Sequence, residues 1–134
     1  MTEERLPKQV IVIRKDLRMR RGKEIAQGAH ASMKWLTSRV TVSHNALGAI
    51  TPADFTDAEW AWLTGLFTKI TCTVDSEEEL QAIHDRAWEL GIRAEMVTDA
   101  GRTEFGGVPT KTVVAIGPDW SDKVDEITGS LKLY

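Results

Sequence analysis

The sequence predicts an α/β sandwich, in which helices cover both faces of one β-sheet. Three observations support this fold class. Strand-like apolar runs alternate with helical patterns through most of the chain. The 134 residues, 42% of them apolar, suffice for one domain with one compact core, so we expect residues 1–134 to form a single domain. We find no internal repeat, low-complexity segment or linker that would divide the chain.

The first predicted elements are a strand and a long helix. Residues 8–14, KQVIVIR, form a nearly continuous β-branched run, which indicates a strand covered on both faces. Residues 14–22 form a basic loop, and a helical pattern begins after Gly22. We expect the apolar side of this helix to pack on the sheet, and it consists of Ile25, Ala26, Ala29, Met33, Leu36 and Val40.

A loop, a short helix and a second strand are predicted next. Residues 41–55 lose the helical pattern and contain Gly and Pro, so they are interpreted as a loop or insertion. Thr56 and Glu59 form a capping-box pattern, which predicts a short helix ending near Gly65. Residues 67–74, FTKITCTV, alternate as a strand does.

A second capping box introduces the clearest helix of the chain. Ser76 and Glu79 form the box, and Gly91 is placed to end the helix at its C′ position. The apolar stripe of this helix consists of Leu80, Ile83, Ala87 and Leu90. Residues 92–97 then alternate as a third strand.

The end of the chain is predicted to add one strand and one helix. Residues 112–117, TVVAIG, form a buried-looking fourth strand, which we expect Pro118 to stop. A last short helix is predicted from Ser121 to about Gly129.

Charge is distributed unevenly along the chain. The net charge of −3 argues against a protein that is basic all over, yet residues 8–23 hold seven Lys or Arg and one Asp, and residues 75–79 hold four acids. The single cysteine, Cys72, excludes an internal disulfide. No apolar stretch is long enough to span a bilayer, and no signal-peptide pattern is present. We therefore expect a cytoplasmic protein without a membrane partner.

Two loops stand out as candidate functional segments. Residues 14–22 are basic and lead into Lys23, and residues 98–111, TDAGRTEFGGVPTK, hold three glycines, a proline and an Asp-Arg-Thr cluster. Ligands in α/β sheets usually bind where loops leave the carboxyl ends of strands. Flexible connection without function is an equal alternative for both loops.

A polar stripe follows the first helix beside its apolar side. Lys23, Gln27, His30 and Lys34 align at 100° per residue, and such a stripe is able to form the floor of a cleft. A solvated helix face is the simpler interpretation. Lys23 shifts the balance because a helix N-terminus already favours an anion such as phosphate.

Four segments of the chain resemble, in order and spacing, the signature segments of the type II peptidyl-tRNA hydrolases. They are VIVIRKDLRMRRGKEIAQGAHAS, DAGRTEF, TKTVVAIGP and ITGSLKLY. The resemblance implies a three-layer α/β/α sandwich with a mixed four-stranded sheet. It also implies hydrolysis of the ester that joins a peptide to the 3′ end of tRNA, without a metal or other cofactor. The catalytic positions that it implies are Lys23, Asp99, Thr103 and Thr112.

The implied residues suit this chemistry. Asp99 at a strand end is able to orient and deprotonate water, and Lys23 is able to stabilise the oxyanion or hold the terminal phosphate. An Asx turn or helix N-cap without a catalytic role is the alternative for Asp99, and backbone bonding is the alternative for Thr103 and Thr112. No Ser-His-Asp pattern is present, so direct attack by water is preferred to a covalent intermediate.

Several accessory assignments stay open at this point. Gln27 and His30 lie in the polar stripe and are possible accessories, although a structural hydrogen bond is an equal interpretation for His30. The segment FGGVPTK is one residue longer than the usual family pattern, so Thr110 competes with Thr112 for one position. His44 and His84 have no partners at metal-ligand spacing, so no metal site is predicted.

The basic residues predict contacts with tRNA phosphates, and solvation of a basic loop is the alternative. The predicted contacts are Arg14, Lys15, Arg18, Arg20, Arg21, Lys34 and Arg102.

The sequence leaves two classes of function open. The first is a peptidyl-tRNA hydrolase. The second is a noncatalytic tRNA-binding or protein-interaction module that keeps the hydrolase fold, with dimerisation or partner binding through residues 60–66 as its most specific version. Trp60 and Trp62 lie two positions apart on a short helix, so they face different directions and one is a candidate for exposure to a partner, including a second copy in a homodimer.

Overall fold

The computed structural model describes residues 5–45, 50–102 and 104–134. The strands are β1 Pro7–Arg14, β2 Lys69–Val74, β3 Ala94–Asp99, β4 Thr110–Trp120 and β5 Lys132–Leu133. The helices are α1 Arg21–Asn45, α2 Asp57–Thr64, α3 Glu77–Glu89 and α4 Ser121–Thr128, and a 3-10 turn covers Pro52–Asp54.

The strands form one mixed sheet in the order β3-β4-β1-β2-β5. Strand β1 is parallel to β2, and the other neighbouring pairs are antiparallel. The predicted α/β sandwich is confirmed, with five strands in the described part of the chain instead of the four expected. The additional strand, β5, is only Lys132–Leu133, and both residues are exposed. Two residues are too few to show a strand period, which is why the sequence pattern missed β5.

Helices cover the sheet on both faces, and alternate residues of β1 serve the two resulting cores. Val10 and Val12 face a core that includes residues of α3 and α4, whereas Ile11 and Ile13 face a core that includes Ala31 of α1. The aromatic ring of Trp35 in α1 contacts that of Trp62 in α2, so α2 joins the α1 layer. The prediction that the first strand is covered on both faces is confirmed.

Helix α1 differs from its prediction in length and in orientation. It continues to Asn45, so the predicted loop at 41–55 begins too early. The predicted buried side is wrong, because Ile25 and Met33 are 67% and 43% exposed. The face that packs inward consists of Gln27, Ala31, Ser32 and Trp35. The polar members of this face are buried because the sheet supplies partners: Gln9 bonds Ser32, and Thr112 bonds Gln27.

Strand β4 continues through the proline that was expected to stop it. It runs to Trp120, and Pro118 lies at a register shift where Val10 pairs with Ile116 but Lys8 pairs with Asp119. A proline is tolerated there because a bulge removes one residue from the ladder of hydrogen bonds. Strand β3 also starts two residues later than the predicted range of 92–97, at Ala94.

The predicted ends of α2 and α3 are confirmed. The Thr56 hydroxyl accepts from the Glu59 amide and the Glu59 carboxylate accepts from the Thr56 amide. Ser76 accepts from the Glu79 amide, and Gly91 follows α3 with φ +71°. The amides of Gly91 and Ile92 donate to carbonyls of the last turn of α3, as in a Schellman motif. Helix α2 buries Trp62, which is 1% exposed, and leaves Trp60 42% exposed, so the two rings face different directions as predicted.

Candidate active site

The two candidate loops leave the sheet at the same edge. Strands β1 and β3 end there and β4 begins there, since Ile13 pairs with Val113 and Asp99 pairs with Thr110. Helix α1 also begins at this edge. The sheet topology therefore places the basic loop, the glycine-rich loop and the helix N-terminus side by side.

The centre of this edge is an ion pair between Lys23 and Asp99. Lys23 Nζ lies 2.8 Å from Asp99 Oδ1, and the two side chains are 17% and 13% exposed. Lys23 Nζ also lies 5.9 Å from the centroid of the Phe105 ring, which belongs to the glycine-rich loop. Both charges are thus partly shielded from water, where an ion pair is stronger than on an open surface.

The second oxygen of Asp99 is held by its own loop. The amide of Gly101 donates to Asp99 Oδ2 at 2.8 Å, which is the Asx turn considered as the alternative to a catalytic role. The turn and the pairing with Lys23 occur together, because each uses a different carboxylate oxygen. Gly101 has φ +81°, and a Cβ at this position would lie 2.2 Å from the Val108 carbonyl oxygen. Only glycine fits this close approach of the loop to itself.

A buried hydrogen-bond relay supports Asp99 from the helix side. Thr112 is fully buried, and its hydroxyl donates to Gln27 Oε1. This bond orients the Gln27 amide so that Nε2 faces Asp99 Oδ1 at 3.5 Å. Thr112 therefore reaches Asp99 through Gln27, and both residues act to position the carboxylate.

The pKa of the Asp99 carboxyl is lowered. The hydrogen bond from Lys23 is the largest cause, and the Gly101 amide adds to it, whereas desolvation works in the opposite direction. Asp99 is thus a carboxylate through the neutral range. It is suited to orienting a water molecule and is a poor acceptor of a full proton.

The remaining candidates near this edge have different positions. Thr103 lies outside the described residues. Thr110 pairs with Asp99 across the strands, and its hydroxyl donates to the Val108 carbonyl. His30 is exposed on α1. Lys23, Gln27, Asp99 and Thr112 are thus brought together, while Thr110 lies beside them with its hydroxyl bonded to its own loop.

Two of the predicted phosphate-binding residues form hydrogen bonds within the protein, and the other five are exposed. The Arg14 side chain is 11% exposed and donates to both carboxylate oxygens of Asp16 and to the Lys111 carbonyl. Lys34 donates to the Met96 carbonyl at the edge strand β3. The exposed members are Lys15, Arg18, Arg20, Arg21 and Arg102. Four of these exposed charges belong to the basic loop and the first residue of α1, and Arg102 belongs to the second loop. Arg20 Nε lies 3.9 Å from Glu104 Oε1.

Two contributors to the site were missed from the sequence, Gly101 and Phe105. The signal for Gly101 is the Asx-turn pattern, an aspartate two positions before a glycine, because such a turn and a catalytic role are compatible. Nothing in the sequence pattern indicated that the Phe105 ring lies near Lys23.

The described residues hold no metal-binding cluster and no membrane-spanning helix. No group of three His, Cys, Asp or Glu side chains in that part of the chain is able to hold a metal ion. Within the same residues, no helix has the length and apolar character needed to cross a membrane.

Comparison with known proteins identifies the family of this chain. The family model described as peptidyl-tRNA hydrolase PTH2 matches residues 7–134. The chain belongs to the PTH2 family. The resemblance stated from the sequence segments is thereby confirmed, and the match includes both loops of the candidate site.

Relatives of this PTH2 chain come from archaea and eukaryotes. The chain is 40% identical over 127 residues to a peptidyl-tRNA hydrolase of Haloquadratum walsbyi, covering 95% of this chain and 99% of the relative. It is 36% identical over 126 residues to that of Methanocaldococcus jannaschii, covering 94% and 98%. A probable peptidyl-tRNA hydrolase 2 of Schizosaccharomyces pombe is 35% identical over 127 residues, which cover 95% of this chain and 56% of the relative.

Proposed function

We propose that this protein is a peptidyl-tRNA hydrolase, which cleaves the ester between a peptide, or an N-acyl-aminoacyl group, and the 3′ end of tRNA. Membership of the PTH2 family supports the reaction class. The observation that carries the proposal is the Lys23–Asp99 pair, which lies between two loops at one edge of the sheet. The products are a free peptide and a reusable tRNA.

Water is the nucleophile in the proposed reaction. It adds to the ester carbonyl carbon, the bond to the ribose 3′ oxygen breaks, and a proton from the water ends on that oxygen. Asp99 accepts a hydrogen bond from the water and orients it, since its lowered pKa makes full deprotonation of water unfavourable. The positive charge of Lys23 stabilises the oxyanion that develops on the carbonyl oxygen.

This arrangement needs no metal or cofactor, because Lys23 supplies the positive charge that a metal ion would otherwise bring to the oxyanion. Gln27 and Thr112 act as positioning residues for Asp99. Thr103 and Thr110 are proposed as further hydroxyl donors at the glycine-rich loop, and His30 as an accessory at the outer edge of the site.

The exposed basic residues are proposed to bind the phosphates of the tRNA acceptor stem. They are Lys15, Arg18, Arg20, Arg21 and Arg102. Contacts with phosphates carry no sequence information, which suits an enzyme that accepts every tRNA. Arg14 and Lys34 remain proposed contacts. To bind a phosphate, Arg14 would have to share donors that bond the Asp16 carboxylate, and Lys34 would have to share the ammonium group that bonds the Met96 carbonyl.

Three broader proposals accompany this function. We place the protein in the cytoplasm, where peptidyl-tRNA is its partner, and we expect residues 1–134 to act as one domain. A homodimer is proposed as the state of assembly. A noncatalytic tRNA-binding or protein-interaction module is the alternative function. The following experiment gives different results for the hydrolase and for this module.

The test is cleavage of N-acetyl-aminoacyl-tRNA by the purified protein. We expect the wild-type protein to release the tRNA, and Lys23→Ala to lower kcat/KM at least about 100-fold. Lys123→Ala is the matched control, because Lys123 is exposed on α4, which covers the opposite face of the sheet. Binding of tRNA without any cleavage by the wild-type protein would establish the noncatalytic alternative instead.

A further inference from the structure

One acidic residue lies within the strongly basic segment of the chain. Residues 8–23 hold seven Lys or Arg and a single acid, Asp16. Its side chain is 32% exposed and lies in the loop that is proposed to bind the tRNA phosphates. A carboxylate at this position repels phosphate, so its charge works against binding. Asp16 has no part in the hydrolysis step or in the proposed phosphate contacts, which leaves its contacts within the protein to explain it.

Arg14 binds the Asp16 carboxylate with two hydrogen bonds. Arg14 Nε donates to Asp16 Oδ1 at 3.1 Å, and Arg14 Nη2 donates to Asp16 Oδ2 at 2.7 Å. A planar guanidinium and a carboxylate in this paired geometry fix each other's orientation as well as their separation. The Arg14 side chain is only 11% exposed, so water competes with this pair less than with an ordinary surface ion pair. The hydrogen bond from Arg14 is also the largest cause of the lowered pKa of Asp16.

The third nitrogen of Arg14 joins this pair to the neighbouring elements. Arg14 Nη1 donates to the Lys111 carbonyl oxygen at 3.0 Å, and it lies 3.8 Å from Glu77 Oε1 at the start of α3. Lys111 directly precedes Thr112 on β4. Arg14 therefore ties the basic loop, through Asp16, to the strand that carries part of the candidate active site.

Other contacts attach the basic loop to the body of the protein. The Lys15 amide donates to the Val74 carbonyl at the end of β2 at 2.8 Å, and the Arg18 amide donates to the Lys15 carbonyl at 3.2 Å. Leu17 and Met19 pack against the core beneath α1, and Met19 is 6% exposed. Alternate side chains of the loop therefore face the core, while Arg18 between them is exposed.

The backbone at Arg18 shows why the loop needs to be held. Arg18 has φ +51°, which lies in the left-handed region that is unfavourable for a residue with a Cβ. Such a conformation persists where the surrounding contacts fix it. The Arg14–Asp16 pair fixes the chain before Arg18, and the buried Met19 fixes it afterwards.

We propose that Asp16 and Arg14 form a clamp that holds residues 15–20 in the conformation that binds tRNA phosphates, with Asp16 as a positioning residue. This role rests on the proposed function, because tRNA is the ligand for which the loop is held. A loop that is ordered before binding loses less conformational entropy when the phosphates bind. The resulting gain in affinity exceeds the repulsion from a carboxylate that Arg14 already neutralises.

A clamp and a direct phosphate contact by Arg14 predict opposite effects of removing Asp16. If Arg14 contacts phosphate, Asp16→Ala frees its guanidinium, removes a repulsive charge and tightens tRNA binding. If the pair is a clamp, Asp16→Ala raises the Kd for tRNA about tenfold although the loop becomes more positive. Glu126→Ala is the matched control, because it removes an exposed acid on α4 at the opposite face of the sheet, and its Kd should stay at the wild-type value. An Asp16→Ala variant that binds tRNA as tightly as wild type, or more tightly, would overturn the clamp.

Arg14→Lys tests the clamp without a change of charge. Lysine keeps the positive charge and loses the paired donors, so we expect the Kd for tRNA to rise about tenfold. The Lys23–Asp99 pair is unaltered, so kcat at saturating substrate should stay within about threefold of wild type while KM rises. Arg86→Lys, at an exposed position of α3, is the matched control. A Kd for Arg14→Lys within about twofold of wild type would overturn the clamp.

Trypsin measures the order of the loop without tRNA, because trypsin cleaves after lysine and arginine. We expect native wild-type protein to be cleaved slowly after Arg18 and Arg20, and Arg14→Lys to raise the rates at these two bonds about tenfold. Cleavage after Arg86 on α3 should not change, which separates local release of the loop from global unfolding. Equal rates at Arg18 and Arg20 in wild type and variant would overturn the clamp.

The two measurements separate the clamp from the proposed function. A wild-type protein that does not bind tRNA would contradict the proposed function, and the trypsin rates would still decide whether Arg14 and Asp16 hold the loop. Wild-type binding of tRNA together with a Kd and trypsin rates that Arg14→Lys leaves unchanged would overturn the clamp and leave the proposed function in place.

Discussion

Lys23 Nζ and Asp99 Oδ1 lie 2.8 Å apart although 76 positions separate the two residues along the chain. Lys23 begins α1 and Asp99 ends β3, so the distance between them is set by how α1 packs on the sheet. The inward face of α1 makes this possible, because Gln27 and Ala31 pack beneath Lys23 against β3 and β4. The geometry of the candidate site is therefore a consequence of the helix orientation that the apolar pattern did not predict.

Replacement of Gly101 by alanine should disrupt the site through the backbone. The new Cβ would lie 2.2 Å from the Val108 carbonyl oxygen, so the loop must move and the Gly101 amide must leave Asp99. We expect kcat/KM to fall at least about tenfold, as removal of one positioning hydrogen bond does. Steady-state kinetics on N-acetyl-aminoacyl-tRNA measure the effect.

The matched control for Gly101 is Gly107, which has the same φ of +81°. A Cβ at Gly107 meets nothing within 4 Å, so Gly107→Ala carries the backbone strain of about 1–2 kcal/mol without the collision. We expect its kcat/KM to stay near wild type. Equal losses in both variants would show that loop strain, and not the Gly101 contact with Asp99, controls activity.

The Thr112 hydroxyl should matter for both stability and rate. Thr112→Val leaves Gln27 Oε1 buried without its donor, which costs about 1–3 kcal/mol in the free energy of unfolding. Gln27 then loses its fixed orientation toward Asp99, so kcat should fall while KM changes little. Urea unfolding and steady-state kinetics measure the two effects.

Thr112→Ser and Thr110→Val complete this test. Serine keeps the hydroxyl at position 112 and should restore most of kcat. Thr110→Val removes a hydroxyl bonded to the Val108 carbonyl in its own loop, so we expect a smaller change. A larger loss of kcat from Thr110→Val than from Thr112→Val would assign the family position to Thr110.

Binding of tRNA should depend on salt through the exposed arginines and lysines. Each of Lys15→Ala, Arg18→Ala and Arg20→Ala should reduce the slope of log affinity against log salt by about 0.7–0.9. Filter binding of tRNA over a range of salt concentrations gives this slope. Lys123→Ala on the opposite face should leave it unchanged, and an equal effect of Lys123 would argue against a localised tRNA surface.

The free energy of unfolding should depend on pH in the acid range through Asp99. Its pKa is lowered by Lys23 and by the Gly101 amide, so the carboxylate stays charged below its ordinary pKa of about 3.9. The charged Asp99 carboxylate therefore stabilises the folded protein at pH values above its ordinary pKa. This stabilisation is lost as the pH falls through the lowered pKa of the folded state. Between wild type and Asp99→Asn, the difference in unfolding free energy should be constant near neutral pH and vanish only in strong acid.

Lys23→Met supplies the internal comparison for this pH dependence. It removes the largest cause of the lowered pKa, so carboxyl titration followed by NMR should move upward toward the ordinary range. No upward movement in this variant would mean that Lys23 does not control Asp99.

The order of strands and helices was predictable because it depends on local patterns. The capping box at Thr56, the N-cap at Ser76 and the glycine at position 91 are short-range signals that the structure uses. The box predicted at Ser76 is only half formed, because the Glu79 carboxylate accepts from the Asp75 amide. The edge of the sheet that carries the site was also predictable, since loops after strand ends meet there.

The orientation of α1 could not be predicted from its apolar residues. Gln27 and Ser32 face inward because Thr112 and Gln9 lie opposite them in three dimensions, and no local pattern records those partners. The outward Ile25 and Met33 then line a groove between α1 and the strands β1 and β2.

The most direct test of the account is a double-mutant cycle on Lys23 and Asp99, measured as the single-turnover rate of N-acetyl-aminoacyl-tRNA cleavage. If the pair acts as one unit, Lys23→Met and Asp99→Asn each lower the rate at least about 100-fold, and the double variant is within about tenfold of the slower single variant. Single variants that keep rates within about twofold of wild type would contradict the assignment of this pair as the catalytic centre.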